Sequence, residues 1–139
     1  MVNDARGLIE FMERAFNGEE TAMVKDDGGK IMHSTVQIGD SLVMVADVMT
    51  GTDPMPSMLY LYVDDVDAVY RQAIDVSGTT SLREPVDEFY GDRSAGVKDE
   101  WGNQWWLATH VEDVSDEEME RRKEEFLHRR ENMSNNLVM

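Results

Sequence analysis

From Asp4 to Asn17 apolar residues return at helical spacing, as Leu8, Ile9, Met12, Ala15 and Phe16. This predicts an amphipathic helix capped by Asp4 and stopped at Asn17-Gly18. The period then shortens. Runs at 21–25, 30–38 and 41–47, divided by Asp26-Asp27-Gly28-Gly29 and Gly39-Asp40, predict three strands joined by tight turns. Gly51, Pro54 and Pro56 make 50–57 a loop. A strand at 58–63 follows, then a helix begun by Asp64 and Asp65 that reaches Ile74, and Ser77-Gly78 breaks it. Further strands are expected at 79–84, 93–98 and 103–110. After Ser115, with Glu118 three residues on as a capping box, acids crowd the first turn and arginines are expected to fill the last. Met119, Phe126 and Met133, with Leu127 alongside, give that last helix a narrow apolar stripe.

The pattern is a repeat. "VQIGDSLVMVAD" lies over "VKDEWGNQWWLATH" at a displacement of about 60 residues, matching Val36 to Val97 and Met44 to Trp106. The second copy reads strand, helix, three strands; the first starts at its helix and lacks a leading strand. The expected organisation is one domain over 1–114, with modules at about 1–50 and 57–112, and a helical tail over 115–139.

Composition narrows what such a domain can do. The chain has 139 residues and no cysteine, which fits a reducing compartment, and a cytoplasmic location is expected. No basic-then-apolar leader heads the sequence, and no apolar run nears the roughly 20 residues of a membrane span. A net charge of −16 argues against nucleic-acid partners. It favours cationic ligands, or reflects solubility and adaptation to high salt. Phosphate-loop, dinucleotide and G-x-S-x-G motifs are absent from the sequence.

The phrases "KIMHSTVQIGDSLVMVAD", "LYLYVDDVDAVY" and "YGDRSAGVKDEWGNQWWLATHVEDV" resemble the vicinal-oxygen-chelate superfamily of glyoxalases, bleomycin-resistance proteins and extradiol dioxygenases, and within it the PhnB-like group. The likeness spans about residues 4–115. Where that group carries Asp-Pro-Phe-Gly-Asn, this chain has Asp99-Glu100-Trp101-Gly102-Asn103. The resemblance implies an α+β fold of two βαβββ-type modules, the first strand of module one short or missing, plus an extra C-terminal helix. It also implies curved sheets that wrap a cavity, often completed across a homodimer.

Strand alternation then sorts side chains between helices and cavity. Leu59, Leu61, Val63, Val43, Val45, Trp105 and Leu107 should pack on the helices, as should Met32, Val36 and Ile38. Met58, Tyr60, Tyr62, Leu42, Met44, Ala46, Gln104, Trp106 and Ala108 should face the cavity, with His33, Thr35 and Gln37. Trp101, at a turn, fits either side.

Metal-dependent members of the superfamily hold a divalent ion with His and Glu. The resemblance carries three of those positions onto Met44, Met58 and Trp106, none of which is a hard ligand, so neither metal nor cofactor is expected. His33 is the catalytic candidate. Gln37, Met44, Met58, Tyr60, Tyr62, Arg93 and Trp106 are the ligand-binding candidates, with Arg93 either clamping an anion or pairing with Asp87, Glu88 or Asp92. His110 and His128 read as structural, and Asp64 and Asp65 as a helix cap. Three functions stay open: metal-free binding of a small organic molecule, a glyoxalase-type lyase or isomerase using His33 and Arg93, or a homodimeric interaction protein with a vestigial site.

Overall fold

A computed structural model describes residues 1–137. Val138 and Met139, the end of the expected tail, lie outside the described residues. The chain runs α1 (Ala5–Phe16), β1 (Glu19–Lys25), β2 (Ile31–Ile38), β3 (Ser41–Val45), β4 (Met58–Tyr62), α2 (Val66–Ile74), β5 (Thr80–Asp87), β6 (Asp92–Lys98), β7 (Gln104–His110) and α3 (Asp116–Leu137). Strands β1-β2-β3 form one sheet and β4-β7-β6-β5 the other. In the second sheet β4 runs parallel to β7, and the other neighbours are antiparallel. The α+β fold of two modules and a C-terminal helix is as the pattern implies.

The missing leading strand survives as a single rung. Val2 bridges Asp47 in parallel, donating its N–H to the Ala46 carbonyl at 3.1 Å and accepting from Val48 at 2.9 Å. Module two has a full five-residue β4 in that place. Asp47 adds a second tie. Its carboxylate accepts from the Ala5 and Ile31 amides, each at 2.8 Å, which fixes the start of α1 against β2.

Both helices lie on one side of the sheets. Asp4 and Asp65 cap them by accepting from the Gly7 and Ala68 amides. The apolar stripe of α1 is buried, and Phe11 and Phe16 flank Trp105 with ring centroids 6.0 and 4.9 Å away. Val43 and Leu59 pack at the margin of this core, and Val45, Leu61 and Leu107 lie within it. One assignment needs correcting. Met32 is exposed, not packed on the helices, and Ile31 and Ser34 are the buried neighbours. A bulge opposite Val24 and Lys25 inserts one residue into β2 and flips the alternation there. The buried Ser34 hydroxyl donates to the Val45 carbonyl at 2.6 Å.

The hairpin carrying Asp99 to Asn103 proves architectural. Buried Asp99 accepts from the Trp101 and Asn103 amides at 3.0 and 2.9 Å and from the Trp105 indole at 2.9 Å. Asn103 in turn accepts from the Ser57 amide at 2.9 Å, tying the entry of β4 to the hairpin. Gly102 has φ +88°, a conformation other residues adopt at a cost. Trp101 settles half-buried against α1, where a Cβ on Gly7 would meet its ring at 2.6 Å.

Candidate ligand-binding face

Across the second sheet the register lines up Tyr60, Trp106, Gly96 and Arg83, one from each strand. Because Gly96 has no side chain, the Trp106 ring lies down over it. A Cβ there would stand 2.7 Å from the indole. The ring reaches toward Arg83, whose guanidinium carbon is 5.2 Å from the ring centroid, a cation–π contact. Arg83 Nη2 donates to Glu88 at 2.6 Å and to the Ser94 hydroxyl, and Ser94 donates to the same Glu88 oxygen at 2.8 Å. Arg83 Nε is buried without a hydrogen-bond acceptor.

The next row holds Tyr62, Ala108 and Ser94, and beyond it Asp92 faces His110. Tyr62 donates to Asp92 at 3.0 Å; the other Asp92 oxygen meets His110 Nδ1 at 3.0 Å; His110 Nε2 meets Asp113 at 2.7 Å. Asp92 itself is buried. The Asp92 carboxylate that takes its hydrogen bond raises the Tyr62 phenol above its ordinary pKa. Asp113, then Asp92, raises the His110 imidazole and so favours its charged form. Tyr90, from the turn between β5 and β6, is half-buried, and burial before all else pushes its phenol well up; the Tyr60 hydroxyl and the Glu88 and Asp92 carboxylates are its polar neighbours.

Of the candidates from sequence, Tyr60, Tyr62 and Trp106 come together here. Met58 opens β4 in the same alternation, and Met44 faces outward from β3, 68% exposed. His33 and Gln37 lie on module one. His33 Nε2 is 3.4 Å from the Thr35 hydroxyl with no carboxylate bonded to it, and Gln37 donates to the Gly39 carbonyl at 3.0 Å. Arg93 takes the pairing alternative, with Asp87 as one expected partner and Asp67 besides. Its guanidinium donates to Asp67 on α2 at 2.8 and 3.1 Å and to Asp87 at 3.1 Å, which holds it on the helix side. Alternation with Ala95 and Val97, both buried, carries that signal in the sequence. Arg83, Glu88, Ser94 and Asp92 were not foreseen as site residues. Register shifts between Ser81 and Arg83 and between Arg83 and Val86 remove the regular period that would have flagged Arg83, whereas Asp92 and Ser94 keep the regular alternation of β6 and were legible there. A separate recess of about 280 Å³ beside Asp47, Met32 and Met49 contains none of these groups.

The residues at the superfamily's metal positions do not fit a hard divalent ion. Met44 and Met58 present thioethers and Trp106 an indole. Among the described residues no group of three His, Asp or Glu side chains is placed to hold one.

A sequence model of the Glyoxalase/Bleomycin resistance protein/Dioxygenase superfamily matches residues 1–107. The chain belongs to this superfamily. It is 31% identical over 131 residues to the uncharacterized protein Mb0911c of Mycobacterium bovis, covering 86% of each chain. It is equally similar to the uncharacterized Rv0887c of Mycobacterium tuberculosis, covering 86% of this chain and 76% of that one. TioX from Micromonospora sp. ML1 shares the fold at a TM-score of 0.66 and 21% identity, over 78% of this chain and 92% of TioX. The PhnB protein from Bacillus cereus does so at 0.59 and 17%, over 78% and 93%. No helix among the described residues is long and apolar enough to cross a membrane.

Proposed function

We propose that the chain binds a small planar organic molecule on the cavity-facing side of its second sheet, without a resident metal or cofactor. The observation that carries this reading is the Tyr60–Trp106–Gly96–Arg83 row, in which a glycine lets an indole lie flat beside a cation and a phenol. Stacking on such rings contributes about 0.5–1.5 kcal/mol per aromatic pair beyond area burial. Glu88, Asp92 and Asp113 outnumber Arg83 there, so a cationic ring gains on a neutral one, and sequestration of a cationic drug is a special case. Titration with a panel of neutral and cationic planar aromatics should shift tryptophan emission, and Trp106→Phe should abolish the shift. A panel without effect, or an effect that survives Trp106→Phe, overturns the reading.

A homodimer goes with it. Met44, Met58 and Tyr62 are 68%, 69% and 67% exposed on one chain, a large apolar area for a surface without a partner. Light scattering should give twice the chain mass; a monomer at micromolar concentration removes the second copy from the argument.

The Tyr62–Asp92–His110 chain favours a second reading, acid–base catalysis of the lyase or isomerase kind, with these groups standing where His33 and Arg93 were expected. Its test is recovery of the bound compound: a changed compound supports catalysis, and one returned intact counts against it.

A further inference from the structure

Strands supply Tyr60, Tyr62 and Trp106 to the binding face, but Tyr90 comes from the turn of residues 88–91. That turn closes on itself: the Glu88 amide donates to the Asp92 carbonyl at 2.7 Å and Gly91 donates back to Glu88 at 3.2 Å. Tyr90 has Tyr60, Glu88 and Asp92 as its polar neighbours, and those two carboxylates in turn hold the Ser94 and Tyr62 hydroxyls of the face. Ser94 and Ala108 of that face are 1% and 0% exposed although Tyr60 and Tyr62 beside them are open. Phe89, one residue earlier, packs on Phe126 of α3 with centroids 5.2 Å apart. The two turn rings touch edge to face at 5.3 Å, so a shift of one is felt by the other.

The turn is fastened to the root of α3 at several points. The Gly91 carbonyl accepts from the Val111 and Glu112 amides at 2.9 and 3.0 Å. Gly91 has φ +96°, and a Cβ there would lie 2.2 Å from the Glu112 carbonyl oxygen. Arg122 donates to both Glu112 oxygens at 2.9 and 2.8 Å and to the Phe89 carbonyl at 3.5 Å. Among the described residues α3 packs on no other helix or strand. The 22-residue helix therefore meets the domain at the turn that carries Tyr90.

We propose that α3 is a positioning element for Tyr90, and that Tyr90 roofs the ligand trough, so that a planar ring bearing a hydroxyl or amine enters by taking the place of the Tyr90 phenol against the hold of Phe126 on Phe89. This rests on the binding reading above. A ligand that needs the roof open binds with its intrinsic constant divided by the open fraction, so loosening the hold tightens binding.

The test uses the full chain labelled with 3-fluorotyrosine, with the Tyr90 fluorine resonance assigned by its loss in Tyr90→Phe. Phe126→Ala should move or broaden that resonance while sparing Tyr70, which bonds Ser81. It should also lower the Kd for 2-naphthol about three- to tenfold by enlarging the open fraction. Phe126→Leu should restore much of the wild-type behaviour. A thermal melt should be unaltered, since α3 supports no strand, and confirms that the variant is folded. An unmoved Tyr90 resonance overturns the hold by α3 whatever 2-naphthol does. A moved resonance with an unchanged Kd overturns the roof. If 2-naphthol binds neither protein, the reading of the trough as a phenol site fails, and the hold is still decided by the fluorine spectrum.

Discussion

The two modules share an order of elements but close their sheets with different residues. Module two has five-residue β4, and Trp105 is wedged against Phe11 and Phe16 at 1% exposure. Module one has the lone Val2 rung, and at the position equivalent to Trp105 it has half-buried Val43. The face away from the helices differs as sharply. Module two carries three aromatics, Arg83 and a chain of hydrogen-bonded acids, whereas module one offers Leu42, Met44, Thr35, Gln37 and a singly contacted His33. A duplicated unit can thus keep an apolar helix-facing side while one copy gathers the aromatic and charged side chains on its open face and the other does not.

Cutting back the equivalent core positions is the strongest way to break this comparison. Trp105→Ala should destabilise the domain by about 3–5 kcal/mol, with a cavity between α1 and β7. Val43→Ala, losing two partly exposed methyl groups, should cost about 1 kcal/mol. Chemical denaturation of both variants checks the contrast, and equal losses would show the modules to be balanced.

The two anchoring acids sharpen it at a smaller scale. Asp99→Ala strands the buried Trp105 and Asn103 donors, an expected loss of about 3 kcal/mol. Asp47→Ala leaves the amides of buried Ala5 and Ile31 facing the half-open space of the lost carboxylate, and should cost about 1–2 kcal/mol. A larger loss for Asp47 in the same unfolding experiment would make the Val2 rung, and not the Asp99 hairpin, the stronger clamp.

The smallest effect depends on pH. His110 binds its proton more tightly folded than unfolded because of Asp113 and Asp92. Its contribution is complete below about pH 6.5, the free imidazole value, and is lost as pH rises through the higher folded value. His110→Gln should therefore lower Tm more at pH 5.5 than at pH 9. A gap that does not vary with pH would mean that folding leaves the hold of the imidazole on its proton unchanged.

Much of this was legible before any coordinates. Alternation along β7 separates Trp105, in the core, from Trp106, on the open face, because a regular strand leaves no other choice. The helices were equally readable, since their caps and stripes are local. Alternation fails where the backbone departs from it. The bulge in β2 sends Met32 to the surface, and the two irregularities in β5 hide Arg83, which joins the site through cross-strand register and not through any period of its own. Tyr90 and Glu88 sit on a turn, and the direction of turn side chains depends on contacts such as Phe89 with Phe126 that are remote in sequence. Arg93 was legible on both counts: its acidic neighbours offered the Asp87 pair, and its parity with buried Ala95 assigns it to the α2 side.

The thioethers of Met44 and Met58 give the molecule a built-in reporter. Each is open to solvent, whereas Met12 is sealed on the buried face of α1. Dilute peroxide converts an accessible methionine to its sulfoxide, a polar and chiral group. Mass spectrometry should find early added oxygens on Met44 and Met58, as on the equally open Met55 and Met133, and selective protection of Met44 and Met58 in concentrated protein or with an added compound would register, atom by atom, that something has come to rest there.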